Sequence, residues 1–106
     1  MSRLDYSQKK ILWRIMTNAV KLSLEGRVQG VGFRHFVYQK ALQLDIKGYV
    51  KNLYDGSIEI LAMGDKQNMH DFIMLAMDGP SRAEVMKISY EDIFVSKEYN
   101  DFTVNY

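Results

Sequence analysis

Arg34 and the glycine-bearing stretch that it ends, residues 26–34 with the sequence GRVQGVGFR, are the part of this chain best suited to chemistry. An alternating apolar run, Val20, Leu22 and Leu24, precedes the stretch; a helically spaced one, Phe33, Phe36, Val37, Ala41 and Leu44, follows it. A glycine turn between a strand and a helix suits an anion. The first N–H groups of a helix have no partner inside it, and the helix dipole is positive at that end. Glycine lets such a backbone curl and come close to a ligand. The product is a cradle for an oxyanion, most often a phosphate. Arg34 adds a permanently charged fork that matches paired oxygens. A cation is badly placed against the positive end of a helix unless an anion binds there too.

The two common phosphate loops do not fit. A Walker loop from Gly26 would need glycine where Val31 stands, and a dinucleotide fingerprint from Gly30 would need glycine at His35. From the glycines alone, an ordinary strand-to-helix turn explains the stretch as well as an anion site does.

The rest of the chain must position this loop. At 106 residues there is room for one domain with a single modest core. Hydrophobic residues make up 47% and charged residues 25%, a globular balance. Lys plus Arg number 14 against 13 Asp plus Glu, for a net charge of +1, which argues against nucleic-acid binding through phosphate charge. The absence of cysteine excludes disulfides, a thiolate nucleophile and a cysteine metal site, and fits a reducing compartment. No run of about 18 apolar residues suggests a spanning helix, and no signal-like block opens the chain. The expectation is a cytoplasmic protein without a membrane anchor.

Residues 1–18 read as an N-terminal extension and 19–106 as the domain. In the extension, Ser7 could cap a short helix with Ile11, Leu12, Ile15 and Met16 on one face and Trp13 off its centre. Such a helix would pack back on the domain, or the segment would form a loosely ordered arm or a contact surface. A strand is expected at residues 19–25 and a helix at 33–44, with Asp45 where a glycine would better close the helix. A strand follows at 46–53. Asp55-Gly56 marks a hairpin turn into a strand at 57–63, with Ile58, Ile60 and Ala62 on one face. Asp65 is placed to cap a second helix with a Met69, Phe72, Ile73, Ala76 stripe, which Gly79-Pro80 stops. A fourth strand falls within 83–93, and a short last one at 102–106 follows a polar stretch. The order βαββαβ plus a short C-terminal strand is the split βαβ arrangement of an α+β, ferredoxin-like fold. Two helices would cover one face of a mostly antiparallel sheet. That fold hosts many unrelated activities.

Four segments, in order, resemble the acylphosphatase family. GRVQGVGFR resembles its phosphate-binding loop. GYVKNLYDG at residues 48–56 is similar to its strand-and-turn segment, GPSRAEV at 79–85 to the turn into its fourth strand, and FTVNY at 102–106 to its closing strand. The resemblance implies hydrolysis of an acyl phosphate to a carboxylate and inorganic phosphate. It places Arg34 and Asn52 on the family's catalytic arginine and asparagine, and Val28, Gln29, Gly30, Val31, Gly32 and Phe33 on its phosphate-binding loop. The further expectations are a monomer and, since no metal-ligand cluster is visible, a reaction that needs no metal or other cofactor. Phosphoryl transfer rests on positioning and on charge at the phosphoryl oxygens. Asn52 is no base at neutral pH, but its amide can orient a water. By itself Asn52 also reads as a turn residue beside a hairpin.

Other residues offer less. His35 follows the loop and His70 sits on the second helix; two isolated histidines make no metal site and both read as solvent-facing. The competing function is a non-enzymatic module of the same fold that binds an anion or RNA. Lys47-Gly48-Tyr49 begins like the RNA-binding motif of RRM domains, but Val50 and Lys51 then replace the expected small residue and aromatic.

Overall fold

The structure, a computed structural model, describes residues 17–95 and 99–106. The helix expected around residues 11–16 lies outside these. Seven elements follow one another: β1 (Thr17–Arg27), α1 (Phe33–Gln43), β2 (Lys47–Asn52), β3 (Ile58–Met63), α2 (Lys66–Asp78), β4 (Glu84–Val95) and β5 (Phe102–Asn105). They form one sheet in the order β4-β1-β3-β2-β5. Every pairing is antiparallel except that of β5, which runs parallel to β2. The ferredoxin-like order read from the sequence is therefore present, with the added strand at one edge.

Alternation in β1 and β3 turns Leu22, Leu24, Ile58, Ile60 and Ala62 toward the helices. Phe33, Val37 and Ala41 of α1 and Phe72 and Ala76 of α2 meet them there, and Phe72 packs edge to face on Phe102 at 6.1 Å between ring centres. Each such large side chain, fully buried, contributes roughly 1.5–3 kcal/mol. The opposite face of the sheet carries a small cluster, Ala19, Leu61 and Met63, with Tyr49 and Ile93 against it. Beside that cluster Glu59 accepts a hydrogen bond from Tyr49 at 2.9 Å and pairs with Lys21 and Lys51, each at 3.3 Å.

The ends of elements show local chemistry at work. Asp45 takes a left-handed φ of 54°, as a short polar residue can, and α1 stops at Gln43. Asp65 caps α2 by accepting from the Asn68 N–H at 2.8 Å. β1 and β4 run past the ends suggested by the alternation of side chains, to Thr17 and Val95, which pair with each other. A backbone ladder needs no apolar pattern to continue.

Candidate functional site

The loop begins where β1 leaves its partners. β1 is in register with β3 as far as the Leu24–Ile58 pair, and its pairing with β4 shifts at a bulge between Glu25 and Gly26. Val28 then turns into the core and is fully buried. Gly30 and Gly32 adopt φ values of 74° and 78°. A side chain at either position would meet open space, so it is the left-handed backbone that calls for glycine. Left-handed residues in a short turn build an anion-binding concavity from successive N–H groups.

Gly32 is also the N-cap residue of α1. No side chain caps this helix and no acidic residue lies in its first turn. The first helical bond runs from the Phe36 N–H to the Gly32 carbonyl at 3.0 Å. The N–H groups of Phe33, Arg34 and His35 thus begin the helix without intrahelical acceptors. Phe33 anchors this turn, its ring buried and edge to face with Phe36 at 6.2 Å.

Asn52 comes from another part of the chain, as the last residue of β2, opposite Ile58. A tight turn follows, closed by the Leu53 N–H donating to the Ser57 carbonyl at 2.9 Å. Asp55 braces this turn. The Ser57 hydroxyl and N–H both donate to its carboxylate and hold it below the usual carboxylate range. Asn52 Oδ1 is buried and accepts no hydrogen bond from any described residue. An unsatisfied buried acceptor costs on the order of 1–3 kcal/mol. Such an atom marks a place prepared for a donor.

These parts meet in one cleft of about 210 Å³, lined by Val28, Gly30, Gly32, Phe33, Arg34, His35, Asn52, Val104 and Tyr106. Of the eight residues assigned from the sequence, Gln29 and Val31 do not line it. Val31 packs against the core. Gln29 instead sends its side-chain amide to the Leu53 and Ser57 carbonyls, at 2.8 and 2.9 Å. His35 sits on the rim and is exposed. His70 is exposed, 3.4 Å from Asp71, and does not line the cleft.

Val104 and Tyr106 were not foreseen as site residues. Arg34 Nη1 donates to the Asn105 carbonyl at 3.3 Å, and the Arg34 guanidinium lies over the Tyr106 ring. Only the alternation Phe102, Val104, Tyr106 hinted that these side chains share a face; that the face adjoins the loop depends on β5 pairing with β2. Tyr49, the aromatic that an RNA platform would display, packs against the small cluster and donates its hydroxyl to Glu59. Among the described residues, no three His, Asp or Glu side chains gather as metal ligands. No helix among them is long and apolar enough to cross a membrane.

The family model described as Acylphosphatase matches residues 20–104. An acylphosphatase of Caldanaerobacter subterraneus subsp. tengcongensis is 40% identical over 89 residues, covering 84% of this chain and 99% of that protein. One from Thermotoga petrophila is 43% identical over 88 residues, covering 83% and 97%. The crystal structure of acylphosphatase from Bacillus subtilis matches with a TM-score of 0.80 at 34% identity, covering 84% of this chain and 99% of that one.

Proposed function

The chain belongs to the acylphosphatase family, and from that premise we propose which residues carry its hydrolysis of acyl phosphates to a carboxylate and inorganic phosphate. The loop amides from Val28 to Phe33 and the Arg34 fork hold the phosphoryl oxygens. Asn52 holds the attacking water. The observation that carries this assignment is the shared cleft, in which the uncapped start of α1 with its own guanidinium meets Asn52 from the end of β2.

In the reaction, the Asn52 side-chain amide orients the water so that an oxygen lone pair faces phosphorus. The new P–O bond forms as the bond from phosphorus to the acyl oxygen breaks, and that oxygen leaves as a carboxylate. One water proton stays on the new phosphate oxygen. The other passes to a phosphoryl oxygen of the substrate, so no side chain need act as a base. Arg34 and the amides face the charge that spreads over the phosphoryl oxygens in the transition state. A carboxylate is a stable leaving group and needs no protonation by the enzyme.

The proposal includes a metal-free reaction, a monomer and a cytoplasmic setting. The metal-free reaction is supported by the positive charge that Arg34 and the helix start already supply, and the cytoplasmic setting by a chain without cysteine, which suits a reducing compartment. No observation favours a non-enzymatic anion- or RNA-binding module.

The test is hydrolysis of benzoyl phosphate at rising inorganic phosphate, with and without EDTA. Competitive inhibition by phosphate and indifference to EDTA are expected. Noncompetitive inhibition would count against the anion cradle, and loss of activity in EDTA with recovery in Mg²⁺ would overturn the metal-free scheme.

A further inference from the structure

In-line attack requires the phosphoryl site and Asn52 to keep a fixed separation, and a misplacement of about 1 Å is enough to cost on the order of 10²-fold in rate. The sheet does not fix that separation by itself. The loop leaves β1 and Asn52 ends β2, but β1 and β2 are not neighbours, because β3 lies between them. Strands spaced by about 4.8 Å put the two strand ends roughly 10 Å apart. β1 pairs with β3 only up to Leu24, so residues 28–33 lie beyond that ladder.

One side chain bridges the gap. Gln29 Nε2 donates to the Leu53 carbonyl at 2.8 Å and to the Ser57 carbonyl at 2.9 Å. A glutamine amide has two N–H donors, and two acceptors are met here, both backbone oxygens of one turn. Leu53 directly follows Asn52. The Leu53 N–H and Ser57 carbonyl bond to each other, so the two acceptors move as a unit with the end of β2.

We propose that Gln29 is a positioning residue: its side chain clamps the phosphate loop to the turn after Asn52 and sets the distance between the bound phosphoryl group and the water that Asn52 orients. The side chain touches neither, since both of its N–H donors are spent on the turn after Asn52. The inference rests on the assignment of Asn52 as the water-holding residue.

Gln29→Met keeps the length and neutrality of the side chain but loses both donors. The turn retains its own bonds, from the Leu53 N–H to the Ser57 carbonyl and from the Gly56 N–H to the Leu53 carbonyl at 3.1 Å, so folding should survive. Gln29→Asn, too short to reach both carbonyls, is the second variant should the first fail to fold. The measurement is steady-state hydrolysis of benzoyl phosphate with phosphate inhibition, on Gln29→Met, Asn52→Ala and the double variant.

The expected result is a kcat lowered by about 10-fold in Gln29→Met, with KM and the phosphate inhibition constant within about twofold of the native values. The double variant should be no slower than Asn52→Ala alone, because the clamp acts only through Asn52. A purely structural glutamine would instead lower kcat by the same factor in both backgrounds, and that result overturns the proposal. So does a loss of phosphate affinity in step with kcat, which would make the Gln29 side chain part of the cradle. If Asn52→Ala alone kept a normal kcat, the assignment of Asn52 would fail first and take the clamp with it.

Discussion

The guanidinium carbon of Arg34 lies 4.5 Å from the centre of the Tyr106 ring. With the Asn105 carbonyl accepting from Nη1, the Arg34 side chain is steered by the last residue of β5 and the ring that follows it rather than by its own helix. Neither contact neutralises the guanidinium, so its full charge remains for an oxyanion. Tyr106 is fully exposed, which limits the strength of the contact. Exposed cation–π pairs contribute roughly 0.5–1 kcal/mol.

Tyr106→Ala should therefore weaken phosphate binding by about 2- to 5-fold, the affinity equivalent of that energy, with circular dichroism unchanged. Competition by phosphate against benzoyl phosphate measures it. An unaltered inhibition constant would make the ring a bystander.

Arg34→Lys keeps the charge and loses the planar fork. It should lower phosphate affinity and kcat together, because the contact exists both before and during transfer. The ammonium also cannot bond the Asn105 carbonyl and an oxyanion with the same geometry. Near-native values for both constants would reduce Arg34 to a helix-start residue.

Asn52→Ala separates water positioning from phosphate binding. The loop and Arg34 stay in place, so phosphate affinity should hold while kcat falls by on the order of 10²-fold or more. The variant also removes an acceptor that is buried and unpaired. Its thermal midpoint should accordingly be no lower than that of the native protein, as the desolvation cost of that oxygen disappears. Asn52→Asp, by contrast, adds a negative charge beside the phosphoryl site and should weaken phosphate binding. Thermal melts alongside the kinetics check both halves, and a marked drop in stability for Asn52→Ala would mean that the amide is satisfied in solution.

Stability should depend on pH through the open face of the sheet. Burial alone would raise the Glu59 pKa, but hydrogen bonds from Tyr49, Lys51 and Lys21 outweigh it and hold the carboxyl below its ordinary 4.5. The folded state thus binds this proton less tightly than the unfolded chain does. Its contribution is complete above 4.5 and drains away as pH falls through the lowered folded value. Tyr49 behaves in the opposite sense. Burial, then its hydrogen bond to Glu59, push it from 10.0 up to about 12, so its contribution is complete below 10.0 and is lost as pH rises through about 12. Glu59→Gln should flatten the acid limb of a plot of melting midpoint against pH. An acid limb as steep as the native one would place the titrating groups elsewhere.

How much of this was legible beforehand depended on distance along the chain. The strand-to-helix turn with its glycines, the Asp65 cap, the Asp55-Gly56 hairpin and the Gly79 stop all act over a few residues, and the structure has each where the pattern put it. Gly30 and Gly32 were readable because a left-handed backbone has few residue choices. Asn52 was different. Its own neighbourhood read more readily as a turn, and only resemblance to a family singled it out.

What the sequence determined by itself is thus the set of local conformations, the two apolar faces that must meet, and a helix start with an arginine where a cation is unfavourable. Tertiary structure decided the partners of that arginine and of Gln29. Arg34 reaches Asn105 across 71 residues, and Gln29 reaches Leu53 and Ser57 across 24 and 28. No local pattern encodes those contacts, because they exist only once β5 has paired with β2 and β3 has come between β1 and β2. A side chain's rotamer preferences are written next to it in the chain, whereas the carbonyl it finds is delivered by strands far away in the sequence.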